Sequence, residues 1–287
     1  MDTATKILLA SAAARAVRFA RRLTGQGAQG VFTRRGVRWE LDLTQGIDFS
    51  IWLLGCFEPA TLRAHEREIR PGQTVLDIGA NIGAHALHFA RLVGETGAVV
   101  AFEPTAFAFA KLTRNRELNP ELAGRLRLEQ LMLVAGDGEQ APSSVYSSWP
   151  LERRAEAHAQ HRGELQATTG ASATTLDHAV ERLGLAAVDH IKLDVDGNEP
   201  EVIQGGMATL ARFRPTMTME VAPCLYAGSD RLSATLGALA GLGYRLFHER
   251  SGRELPSALA DLSALIPRQG SINVIARARC GDHGLFH

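Results

Sequence analysis

The chain has 287 residues, 45% of them hydrophobic and 22% charged, with 31 basic and 31 acidic side chains. That composition is ordinary for a soluble globular protein, and the length buries a full core without disulfide staples. A formal net charge of +0 gives no global electrostatic footprint for nucleic acid, so no nucleic-acid partner is expected.

Near the N-terminus, Ile7–Ala14 looks superficially like a short signal-type apolar run. Arg15, Arg18, Arg21 and Arg22 follow at helical spacing, which reads instead as a basic amphipathic helix. Such a helix packs on the domain or on a second copy in a homo-oligomer, with weak membrane-surface association as the alternative. No run approaches the roughly 18 apolar residues of a membrane span. Gly25, Gly27 and Gly30 make a joint. Val37, Trp39, Leu41 and Leu43 alternate as a strand, with Val31–Thr33 as hairpin partner across Arg35-Gly36. Asp48–Phe57 is a mostly apolar bridge, and Pro59 opens a helix that Pro71-Gly72 closes.

From Thr74 onward, strand and helix alternate. Strands are expected at 74–78, 99–102, 126–133, 190–193, 216–221, 244–248 and 272–276. Helices are expected at 83–92, 107–115, 176–183, 200–211 and 232–239. This pattern implies an α/β fold, a mostly parallel sheet with helices on both faces. The short final connections leave room for the last strand to return antiparallel. Residues 1–45 read as a helix-and-hairpin extension and 46–287 as one domain. A polar segment, 136–175, contains Tyr146, Trp149, Arg153, Arg154, His158 and His161, and is long for a plain connection; its location suits substrate binding. Cys56, Cys224 and Cys280 are dispersed, which fits a reducing compartment and a cytoplasmic location.

The most informative stretch is Val75-Leu-Asp-Ile-Gly-Ala-Asn-Ile-Gly83. An apolar strand ends near Asp77, a glycine-spaced turn follows, and a helix begins. Ligands of open α/β sheets sit at such strand ends. A dinucleotide site usually shows G-x-G-x-x-G, but here the spacing is Gly79-x-x-x-Gly83. Asp77 would repel a pyrophosphate, whereas it would accept the ammonium of a methionine moiety. Glu103, ending the next strand before Pro104, is placed to accept two ribose hydroxyls.

These residues carry a resemblance. With Leu54-Gly-Cys-Phe-Glu-Pro59, Thr175-Leu-Asp177 and Ile191-Lys-Leu-Asp-Val-Asp-Gly-Asn-Glu199, the chain resembles the FkbM-family methyltransferases of the class I, Rossmann-like fold. The segments span about residues 49–221, and Asp196 stands where the family usually has glutamate. The resemblance implies a seven-stranded sheet, S-adenosylmethionine as donor, and O-methylation of a hydroxyl on a sugar, glycolipid or secondary metabolite. It implies Asp77, Gly79, Asn81 and Gly83 around the methionine part and Glu103 on the ribose. It brings Gln130 towards the adenine and Glu58 towards the cofactor; a first-turn helix acid is the equal alternative for Glu58.

A hydroxyl must lose its proton as the methyl arrives, and a carboxylate or a metal ion assists. Asp194, at the end of an apolar strand, is the first candidate for catalysis, and Glu220 is the second. The same two are candidates for a divalent metal. Strand alternation would put Lys192, Asp194 and Asp196 on one side. For Asp196, Glu199 and Glu201 a solvated helix start is the expected reading. His85 and His88 are expected to pack or cap. The competing functions are a nicotinamide-dependent oxidoreductase and an inactive methyltransferase-like binding subunit.

Overall fold

The computed structural model describes residues 3–147, 151, 164–267 and 270–279. Helix α1 (Thr3–Leu23) leads to the hairpin β1 (Gln29–Arg34) and β2 (Val37–Asp42), then α2 (Gly46–Leu54) and α3 (Pro59–Glu68). Next come β3 (Thr74–Ile78), α4 (Ala86–Leu92), β4 (Ala98–Phe102), α5 (Ala106–Glu117), α6 (Pro120–Ala123), β5 (Leu126–Glu129) and β6 (Leu131–Leu133). The polar segment carries β7 (Ser144–Ser147), β8 (Glu164–Ala167) and β9 (Ser172–Thr174). The remainder is α7 (Leu176–Arg182), β10 (His190–Leu193), α8 (Glu199–Gln204), α9 (Met207–Phe213), β11 (Thr216–Val221), α10 (Arg231–Gly241), β12 (Tyr244–His248), β13 (Glu254–Leu255), α11 (Leu259–Ser263) and β14 (Ile272–Ala278).

The central sheet has eight strands in the order β13-β12-β14-β11-β10-β3-β4-β5. Strands β11, β10, β3, β4 and β5 run parallel, and β14 pairs antiparallel with both β11 and β12. The expected seven strands are all present; the two-residue edge strand β13 makes the eighth. Alternation along the inner strands feeds two cores. Leu76, Ile78, Val100 and Phe102 face α7 to α10, while Val75, Val99 and Ala101 face α4 and the hairpin. Trp39 and Leu41 of β2 share that second core. Helix α1 enters it through Ala14, leaving Phe19 and Leu23 66% and 74% exposed.

Four local expectations change. The apolar bridge 48–57 is largely helix α2; hydrophobic on every side, it shows no helical period, and Gly55 at φ 81° ends it. The strand expected over 126–133 breaks at Gln130, and β6 leaves the main sheet to pair with β9. The helix expected over 200–211 splits at Gly205-Gly206. A Cβ on Gly205 would lie 2.2 Å from the Val134 carbonyl oxygen, so the end of α8 approaches the backbone after β6 closely only because no side chain intervenes. Asp177 caps the second half, accepting from the amides of Ala208 and Thr209 at 3.0 and 2.7 Å. The helix expected from Gly83 starts at Ala86. Trp149, Arg153, Arg154, His158 and His161 lie outside the described residues.

Candidate active site

The carboxyl ends of β3, β4, β10 and β11 meet at one edge of the sheet, and the sequence-derived residues gather there. After β3 the chain turns through Gly79 (φ 79°), Asn81 (φ 49°) and Gly83 (φ 89°). The amides of Gly79 and Ala80 both donate to the Phe102 carbonyl, at 3.0 and 2.9 Å, tying the turn to β4. A Cβ on Gly79 would lie 1.9 Å from the Asp194 carbonyl oxygen, and one on Gly83 would lie 2.8 Å from Leu112 Cδ1. Internal packing and positive φ therefore demand both glycines before any ligand does. Asn81 tolerates its left-handed backbone because its Oδ1 accepts the Ile82 amide at 2.9 Å. Its Nδ2 donates to Ser147 Oγ at 3.3 Å, which fastens the β7 strand to the loop.

Glu103 is 3% exposed. Its Oε2 accepts the Asn81 amide at 2.9 Å, and its Oε1 accepts the amide and hydroxyl of Thr105 at 2.9 and 2.6 Å. Burial raises its pKa; those three donors act against the rise. A carboxylate has about four acceptor positions, so one remains for a ribose hydroxyl without disturbing these bonds. Gln130 donates from Nε2 to the Thr169 carbonyl at 2.9 Å, at the break between β5 and β6.

Lys192 is the hub of the site. In register it lies between Asp77 of β3 and Thr218 of β11. Its Nζ donates to the Gly79 carbonyl at 2.8 Å and stands 3.5 Å from both Asp77 Oδ1 and Asp194 Oδ2. Burial alone would depress its pKa; Asp194, Asp77 and Glu58 outweigh that and raise it, so it stays charged. Asp77 is fully buried, and the ammonium facing it in this structure is that of Lys192. Burial raises the Asp77 pKa, and Lys192 opposes the rise.

The acids meet above Lys192. Carboxylate oxygens of Asp194, Glu199 and Glu220 lie within 4.8 Å of one another, the convergent set of this kind among the described residues. Two like charges at that distance repel by about 3–4 kcal/mol at an effective dielectric constant near 20. Burial, then the charge of Asp194, pushes Glu220 up to about 8 and Glu58 up to about 7. Glu58 joins from the start of α3, where its backbone is left-handed at φ 45° and its side chain makes no cap bond. Asn273 Nδ2 reaches Glu58 Oε2 at 3.5 Å and Thr61 Oγ1 at 3.0 Å.

Glu199 corrects the expectation of a solvated helix start. It is 2% exposed, accepting the amides of Val195 at 3.0 Å and Gly197 at 3.2 Å and the Tyr226 hydroxyl. Its place in the set follows from the turn at Asp196 and Gly197, both at positive φ, which folds the chain back on itself. The strand ends at Leu193, so alternation does not carry Asp196; that turn does. Burial, then Asp194, Glu220 and Glu199, raise its pKa well above the ordinary range. Glu201 is half-buried and pairs with Arg231.

Beneath the site, four histidines are buried. His65 Nδ1 and His190 Nε2 lie 3.2 Å apart, and the His65 ring packs edge-on against His85 and Phe89. Burial depresses all four: His190 falls to about 3 and His88 to about 4, with His65 and His85 well below their usual value. They form a neutral floor. The residues sequence reasoning passed over are Thr61, Thr218, Asn273 and the His65–His190 pair. Thr61 and Thr218 lie within three residues of Glu58 and Glu220 with no local motif to mark them, and only the fold brings Asn273 and the histidine pair alongside.

The profile of the methyltransferase FkbM domain matches residues 77–246. Over 194 residues the chain is 28% identical to a 2-O-methyltransferase, NoeI, of Sinorhizobium fredii (strain NBRC 101917 / NGR234), covering 63% of this chain and 78% of that one. Over 166 residues it is 29% identical to the 31-O-demethyl-FK506 methyltransferase FkbM of Streptomyces tacrolimicus, covering 49% of this chain and 62% of that one, less than two thirds of its length. Among solved structures, a methyltransferase FkbM from Methylobacillus flagellatus KT aligns over 81% of this chain and 56% of that chain, at 14% identity and a TM-score of 0.44.

Proposed function

The chain belongs to the FkbM methyltransferase family, and from that premise we propose that it is an S-adenosylmethionine-dependent O-methyltransferase acting on a hydroxyl of a sugar, glycolipid or secondary metabolite. The observation that carries the reading is the convergence of Asp194 and Glu220, from neighbouring strand ends, beside the Gly79–Gly83 loop. Family membership sets aside the nicotinamide-dependent reading. An inactive binding subunit is decided by turnover.

When bound, S-adenosylmethionine supplies an electrophilic methyl carbon on a sulfonium. This chain's residues have separate tasks. Gly79, Asn81 and Gly83 form the wall for the methionine part, with Asp77 and Lys192 holding that wall from beneath. The free acceptor position of Glu103 takes a ribose hydroxyl, and Gln130 stands on the adenine side. Glu58, Asp194 and Glu220 surround the acceptor oxygen, and a carboxylate among them receives its proton. A raised pKa suits a carboxylate to that task near neutral pH. The names of the two relatives, both O-methyltransferases, favour oxygen as the acceptor atom. Among the described residues no helix is long and apolar enough to cross a membrane, and the basic end of α1 is a candidate for surface association. Cys56 and Cys224 are free thiols, in keeping with a cytoplasmic location.

Asp194→Asn tests the assignment. It keeps the volume and removes the charge. S-adenosylmethionine affinity is expected to stay within about threefold while kcat falls by roughly 100-fold or more, measured as S-adenosylhomocysteine formed on an accepted glycan or hydroxylated metabolite. Full turnover by the variant would remove Asp194 from the chemistry.

A further inference from the structure

We propose that Asp194, Glu199 and Glu220 form a site for one hard divalent cation of the Ca²⁺, Mn²⁺ or Mg²⁺ class; the inference deepens, and rests on, the reading of this edge of the sheet as the acceptor site. Three observations carry it together. The ligand oxygens lie within 4.8 Å of one another, which is about the separation of opposite ligands around an ion bound at roughly 2.4 Å. A cavity of about 10 Å³ lies among Glu58, Lys192, Asp194, Thr218 and Glu220, room for a single water-sized sphere. Thr218, 2% exposed, turns a hydroxyl without any hydrogen-bond partner into that cavity. A buried hydroxyl is ordinarily satisfied, and a neutral oxygen in the cavity that Asp194 and Glu220 also line adds to a hard-cation donor set.

Charge points the same way. Lys192 is the cation lining this cavity, and it already faces fully buried Asp77 as well as Asp194. Glu58 and Glu220 add two more acids to the lining, Glu199 stands within 4.8 Å of Asp194 and Glu220, and among the described residues no second lysine or arginine lines the cavity. Glu199 is fixed by the amides of Val195 and Gly197 and by the Tyr226 hydroxyl, so the site is held before any ion arrives. A bound cation would offset the like charges of the carboxylates and polarise the acceptor hydroxyl beside them.

The test uses the full chain, stripped with EDTA and returned to chelator-free buffer. Ca²⁺, Mn²⁺ and Mg²⁺ are titrated separately by calorimetry, and S-adenosylmethionine is titrated into a parallel aliquot. The expected result is one equivalent of at least one cation bound, with affinity weakened tenfold or more in Glu220→Gln and in Asp194→Asn. Glu201→Gln, outside the cavity and paired with Arg231, should bind the cation as wild type does. Silence with all three cations, in protein that binds S-adenosylmethionine, overturns the site. So does cation binding that neither Glu220→Gln nor Asp194→Asn weakens. Cation binding that follows the expected variant pattern, in protein that ignores S-adenosylmethionine, supports the site and counts against the methyl-transfer reading instead.

Discussion

Gly79→Ala is expected to weaken S-adenosylmethionine binding by at least about 100-fold and to lower the melting temperature by roughly 10 °C. The added Cβ would stand 1.9 Å from the carbonyl oxygen of Asp194. That oxygen is backbone, so no rotamer change relieves the contact. The amide of Asp194 is also fixed, donating to the Ile78 carbonyl at 3.2 Å. A left-handed backbone adds about 1–2 kcal/mol for a residue with a Cβ, and overpacking adds about 1–3 kcal/mol. Both costs fall on the one turn that carries the proposed donor loop and abuts the candidate catalytic acid. Gly124→Ala is the matched control, since a Cβ there meets nothing within 4 Å and its φ is negative. Thermal melts and calorimetry on the pair decide the matter. Wild-type behaviour of Gly79→Ala would mean that the loop does not pack on Asp194 as described.

Lys192→Met should cost about 3–5 kcal/mol of stability, because it leaves the fully buried Asp77 carboxylate without its counter-charge. It also removes the hydrogen bond to the Gly79 carbonyl. The informative comparison is the double variant Asp77→Asn with Lys192→Met. Taking away both charges usually costs far less than stranding one, so the double variant should recover more than half of the loss. Chemical denaturation of the wild type, both single variants and the double variant gives the coupling directly. Strict additivity would show that Asp77 and Lys192 do not depend on each other.

The loop and the parallel core were legible because each rests on local rules. Glycine spacing marks positive φ, and apolar runs flanked by amphipathic helices mark buried parallel strands. The acid ending β10 was legible for the same reason, since a charge at the end of an apolar run has few places to go. Helix α2 was not legible, because a segment apolar on all sides has no period to read. The break at Gly205-Gly206 depends on a carbonyl of Val134, far off in the chain. Glu199 looked like an ordinary first-turn acid; only the left-handed turn at Asp196 brings it inward. The pairing of Asp77 with Lys192 depends on β10 lying beside β3, a matter of strand order that no motif states.

That pairing also changes what the loop means. Gly79 serves the fit of β3 against β10, and Gly83 the fit against α5, as much as either serves a ligand, and Asp77 faces Lys192. The Gly79–Gly83 loop and the acid cluster are therefore one packed unit. The most direct measurement is calorimetric titration of the folded chain with S-adenosylmethionine, S-adenosylhomocysteine and NAD. One equivalent of each methionine-derived ligand should bind, and NAD should not. Binding of NAD alone, or of none of the three, would contradict the account.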